Sequence, residues 1–75
     1  MVRKEDQQAC WRAALSGHRY ICVADLWGQA RGVGCVGHCP GIVHDWADKH
    51  PGQNPVVYKH TPQGYVEHHR KVVEQ

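Results

Sequence analysis

The chain's four cysteines and seven histidines are the residues through which its 75 positions could do chemistry. Cys35, His38, Cys39, His44 and His50 fall within one stretch, Gly34 to Gly52, and His60 follows ten residues after His50. Thiolate and imidazole together make a standard tetrahedral zinc set. The spacing Cys35-x3-Cys39-x10-His50-x9-His60 is the zinc reading, with Cys22 as a substitute for one ligand. It strains at one point. Standard fingers separate their histidines by three to five residues, and here nine residues and a strand intervene. His50 also has a plainer explanation, as a cationic residue favoured at a helix C-terminus. The expectation is no cofactor, with zinc as the one the residues would admit.

Cys39 carries a second chemistry. A thiol just before a helix start is placed where a thiolate is stabilised, and His38 or His44 would be the base. Seventy-five residues leave little room for a substrate cleft beside a core, so the expectation is no enzyme. A third constellation is a surface. Tyr58, His60, Tyr65 and His69 would line one sheet face, with Lys59, His68, Arg70 and Lys71 adding positive charge. Aromatic and basic residues on a sheet stack bases in RNA-binding modules, and the same residue types anchor protein interfaces. The competing role for Tyr58 and Tyr65 is core packing. Gly32-Val33-Gly34 is no phosphate loop, because neither the third glycine of a dinucleotide fingerprint nor a Gly-Lys-Ser/Thr follows.

The elements that must position these residues can be read in order. Lys4 to Leu15 predicts a helix, with Glu5 and Asp6 early, Ala9, Ala13 and Ala14 inside, and Gly17 as its left-handed stop. Trp11 and Leu15 sit four apart, which predicts an apolar face. His18 to Trp27 predicts a strand with Tyr20, Cys22, Ala24 and Leu26 on one face and Ile21, Val23, Asp25 and Trp27 on the other. A type II′ turn at Gly28-Gln29 would set Cys22 opposite Cys35 on a second strand, Val33 to Cys39, whereas a four-residue loop would set Ala24 there. Gly34 and Gly37 within that strand permit close approach of another backbone.

Pro40-Gly41 opens a second helix and Pro51-Gly52 stops it. Pro55 to Tyr58 begins a third strand, and the Thr61-Pro62-Gln63-Gly64 turn leads into a fourth, Tyr65 to Val73, with His60 facing Tyr65 and Tyr58 facing Glu67. The fold class is therefore α+β, in the order helix-strand-strand-helix-strand-strand. It predicts one four-stranded, mainly antiparallel sheet with two helices on one face. The whole chain, 1–75, forms a single domain. Trp11, Leu15, Ile21, Val23, Val43, Trp46 and Val57 are the expected core.

Composition bounds the function. A 41% apolar and 21% charged chain is too apolar to be disordered. The longest apolar run is far short of a membrane span, and Met1 to Gln8 has no apolar signal region. A cytoplasmic location is the expectation, so the cysteines read as thiols or metal ligands. A net charge of +2 is no nucleic-acid footprint by itself. The residues Val56 to Val73, however, hold His60, His68, His69, Lys59, Arg70 and Lys71 against the single acid Glu67, which invites an acidic partner. The reading is a non-catalytic protein-binding module. It would modulate or inhibit a larger protein by direct contact, as small phage and mobile-element proteins do. Tyr58, Lys59, His60, Tyr65, His68, Arg70 and Lys71 form its contact surface. The alternative is a zinc-stabilised nucleic-acid binder using Cys35, Cys39, His50 and His60.

Overall fold

Five consecutive residues, Tyr20-Ile21-Cys22-Val23-Ala24, are buried in the first strand, with no polar face between them. A strand apolar at every position must be covered on both sides, and that requirement organises the chain. The computed structural model describes residues 2–26 and 31–69. Within it a 3-10 turn, Lys4–Asp6, leads into helix α1 (Gln7–Ser16), followed by strands β1 (Tyr20–Asp25) and β2 (Arg31–Gly37). Helix α2 (Pro40–Lys49), a 3-10 turn (Pro51–Gln53) and strands β3 (Val56–Thr61) and β4 (Gly64–Glu67) complete it. The sheet runs β2-β1-β3-β4, antiparallel throughout, so β1 and β3 are central. This is the expected α+β order.

The helices, however, lie on opposite faces of the sheet rather than together on one. Ala9, Cys10 and Ala13 of α1 pack on Ile21, Val23, Tyr58 and Tyr65. Val43 of α2, with Trp46 and Ala47, packs on Tyr20, Cys22 and Val57. The physical reason is the unbroken apolar run of β1, which one layer of helices would leave half exposed.

Ile21, Val23, Val43 and Val57 are buried as expected and Trp46 is partly buried, but Trp11 and Leu15 are 67% and 76% exposed. The buried stripe of α1 is Asp6, Ala9, Cys10 and Ala13, at spacings of three, one and three. Small side chains let the helix approach the sheet closely, and Tyr58 and Tyr65 fill the layer from the other side. Gly17 closes α1 with φ 74° and its N–H on the Ala14 carbonyl at 3.1 Å, the left-handed stop expected of it.

Cys22 faces Cys35 across β1 and β2, the pairing that the Gly28-Gln29 turn predicts, although that turn lies outside the described residues. Further along, Val23 faces Val33 and Asp25 faces Arg31, so the register slips by one between Cys22 and Val23. Gly34 is the extra residue of this bulge. A Cβ built on Gly34 would meet the Trp46 ring at 2.5 Å, and one on Gly37 would meet Ile42 at 3.0 Å. The glycines therefore admit side chains of α2 where the sequence suggested a backbone. Tyr58 faces Glu67 and His60 faces Tyr65 as expected. Strand β4 ends at Glu67, short of the expected Val73, and residues 70–75 lie outside the described part.

One buried ionic group ties the layers together. The Asp6 carboxylate is fully buried. It accepts from Arg31 Nε at 2.8 Å, Arg31 Nη2 at 3.3 Å and the Tyr58 hydroxyl at 2.6 Å. Arg31 also donates to Asp25 and to the carbonyls of Val23, Gln53 and Asn54. Its basicity is raised by the Asp6 bond first, against a burial penalty. A planar fork of five donors is what allows one residue to serve so many acceptors.

Candidate partner-binding surface

Tyr58 and Tyr65 are core residues, so they are not exposed anchors. Tyr58 is fully buried, and burial followed by the Asp6 hydrogen bond pushes its phenol well above the usual range. Tyr65 donates its hydroxyl to the His18 carbonyl at 2.5 Å, and the His60 ring meets it edge-on at 5.0 Å. Both rings lie in the layer beneath α1, so large rings on β3 and β4 complement small residues on the helix. Lys59 and His60 are exposed beside them. His68 is half-buried against Tyr20 and His44, and Arg70 and Lys71 lie outside the described residues.

The four residues of the zinc reading do not converge. Cys39 and His50 flank the two ends of α2, about 16 Å apart along its axis at 1.5 Å per residue. Ligands of one zinc stand about 2.0–2.3 Å from the metal, and a cysteine and a histidine at opposite helix ends cannot both reach it. His60 shares a strand face with Tyr58 on the α1 side, while Cys35 belongs to the α2 side. Among the described residues no group of three or more His, Cys, Asp or Glu is arranged to hold a metal ion. His50 instead stacks on Trp46 at 4.1 Å and sets Nδ1 2.8 Å from the Trp46 carbonyl. It is a residue of the helix end.

The four thiols are free. Burial, with Asp6 second, pushes Cys10 up to about 12, and burial, with Cys35 second, pushes Cys22 up to about 11. Cys35 is raised by burial as well. These three are held as thiols, which are poor nucleophiles. Cys39 is exposed at the N-cap of α2 and lines neither of the two cavities described below.

What the sequence reading missed is the outer face of α1. Trp11 and Leu15, one turn apart, present a large ring and a branched chain to solvent. Beside them a groove of about 560 Å³ opens between α1 and β2, floored by Ala9, Ala13 and Val33 and edged by Arg12, His18 and Arg31. No carboxylate among the described residues lines it. The signal was present as the competing small-residue stripe Ala9-Cys10-Ala13, which turns Trp11 outward when it faces the sheet. A smaller cavity of about 250 Å³ lies at the end of β4, with Arg3, His44, Glu67, His68 and His69 in its wall. Among the described residues no helix is long and apolar enough to cross a membrane. No protein-family model, curated protein or solved structure matches the chain.

Proposed function

We propose that this chain is a non-catalytic protein-binding module that modulates a larger protein by direct contact, with the outer face of α1 as the contact surface. The observation that carries this is the exposure of Trp11 and Leu15 on one helix face. A small domain short of large apolar residues gains nothing in its own stability by leaving these two in water, and Trp is the residue type most enriched among interface hot spots. Arg12, next to Trp11 in the helix, is exposed, and no carboxylate among the described residues lines the adjoining groove. That charge balance favours a partner with an acidic surface.

The nucleic-acid alternative loses the observations that motivated it. Tyr58 and Tyr65 are buried and cannot stack bases, and the zinc ligands do not meet.

The test is affinity capture from cells, followed by measurement of the captured partner's affinity for the intact chain and for Trp11→Gln and Leu15→Gln. Each substitution should leave the melting temperature within about 4 °C, because exposed sites change stability by about 0.5 kcal/mol or less. Each should weaken binding by about tenfold or more, the loss of a hot spot. A partner bound equally well by the Trp11→Gln/Leu15→Gln double variant would refute the surface. The partner's own activity, assayed with and without the module, tests the modulation.

A further inference from the structure

At the end of β4, two ring nitrogens stand face to face. His44 Nε2, from α2, and His68 Nδ1, just after β4, lie 2.9 Å apart and join positions 24 residues apart in the chain. The rings are tilted by 47° with centroids 5.1 Å apart. His68 is held on two further sides. Its backbone N–H donates to the Val57 carbonyl at 2.8 Å, and the Tyr20 ring meets its ring at 5.6 Å and 82°. Both imidazoles are half-buried, and both line the 250 Å³ cavity with Glu67, His69 and Arg3. A neutral imidazole carries one N–H and one lone pair, so one ring donates to the other in an N–H···N hydrogen bond, and the bridging proton is what a metal would displace.

We propose that His44 and His68 form a two-imidazole chelate for a borderline divalent transition metal, Zn²⁺, Ni²⁺ or Cu²⁺. Imidazole nitrogens suit these ions. With Zn–N bonds of about 2.0–2.1 Å at a tetrahedral angle, the two nitrogens would stand about 3.3 Å apart, so the metal needs only a few tenths of an ångström of opening. No third protein ligand converges with the pair among the described residues, so water completes the coordination and the site is open. The metal would bridge α2 to the segment after β4, a constraint of the kind small domains use to supplement a limited core. Glu67 does not compete for it. One of its oxygens is 2.7 Å from Arg3 Nε and the other 3.3 Å from His69 Nε2.

The experiment is calorimetric titration of Zn²⁺ into the Cys39→Ser protein, which removes the exposed thiol, with melting temperatures measured in Zn²⁺ and in EDTA. One ion per chain should bind and raise the melting temperature. His44→Gln and His68→Gln should each weaken binding at least tenfold, while His50→Gln, a residue of the helix end, should leave it unchanged. Binding that survives His44→Gln and His68→Gln, or no saturable binding by the intact protein, overturns the proposal. If a variant fails to fold, the intact protein decides. Zn²⁺ should protect His44 and His68 from diethyl pyrocarbonate, read by peptide mass, and absence of protection overturns the site.

Discussion

Replacing Arg31 by Met should destabilise this protein more than any other single change on its surface-facing strands. The Arg31 side chain is 13% exposed and the Asp6 side chain 0%. Methionine matches the stem of arginine and removes only the fork. Asp6 is then left as a buried carboxylate whose remaining partner in this cluster is the Tyr58 hydroxyl. The carbonyls of Val23, Gln53 and Asn54 lose a donor at the same time. Breaking a buried ion pair from one side costs about 3–5 kcal/mol, because it strands a charge. A domain of this length has about 4–11 kcal/mol in total, at 0.05–0.15 kcal/mol per residue. The variant should therefore stand near the edge of folding at room temperature. Urea unfolding followed by tryptophan fluorescence is the assay. With a slope of about 1 kcal/mol/M for a small domain, the midpoint should fall by about 3 M or to zero. The companion variant is Asp6→Leu/Arg31→Met/Tyr58→Phe, which removes both charges and the hydroxyl together. It should be more stable than Arg31→Met alone, since apolar replacement of a whole buried pair is often neutral. A loss below about 1 kcal/mol for Arg31→Met would refute the reasoning. It would mean that water reaches Asp6 and the pair behaves as a surface bridge.

Two further outcomes follow from the same structure. Gly34→Ala places a Cβ 2.5 Å from the Trp46 ring. Overpacking of this kind costs about 1–3 kcal/mol, and a shift in tryptophan emission should accompany the loss in a urea melt. An unchanged melt and spectrum would show that Trp46 does not sit over the bulge. The Asp25 carboxyl is held below its ordinary value, first by the Asn54 side-chain amide at 2.9 Å and then by Arg31. A depressed folded value means that its stabilisation is present above the ordinary aspartate range and is lost as pH falls through the folded value, below about pH 4. Asp25→Asn should therefore lower the urea midpoint at neutral pH and converge with the parent in strong acid. A difference that stays constant from pH 7 to about pH 2.5 would count against that linkage.

Most of the sheet was legible because its cues are local. The run of strand-forming residues in β1, the Pro40 helix start, the Gly17 stop and the Thr61–Gly64 turn each act over a few residues. The pairing of Tyr58 with Glu67 follows from turn position alone, whereas Cys22 meets Cys35 only across the bulge at Gly34, since Asp25 faces Arg31 nearer the turn. Placement of the helices was not local. Whether α2 covers the same face as α1 depends on both faces of β1 being apolar, a property of Tyr20 to Ala24 taken together with Val57 and Tyr58 on β3. The four residues of the zinc reading lie apart for a related reason. Spacing along the chain places Cys39 and His50 close in sequence, yet a ten-residue helix stands between them and holds them apart.

The orientation of α1 connects the fold to the proposed function. Two stripes compete for the sheet on that helix, Trp11 with Leu15 and Ala9 with Cys10 and Ala13. Apolar area alone favours the first, since a buried Trp or Leu contributes more than an alanine. The second prevails because the layer is filled from below. Tyr58 and Tyr65 already fill that layer against Ala9, Cys10 and Ala13, and the Asp6–Tyr58–Arg31 bonds tie the helix start to the sheet. An aspartate at the same face, one turn before Ala9, was the clue in the sequence, though it reads as a solvent residue unless Arg31 is known to reach it. The outcome is a helix whose strongest apolar residues point away from the core. That arrangement costs the isolated domain burial it could otherwise have had, and it leaves an exposed Trp-Leu pair on a packed helix beside the groove edged by Arg12 and His18. On the proposed reading, an anchor whose backbone is already held in a packed helix would lose little backbone entropy when a partner closes over it.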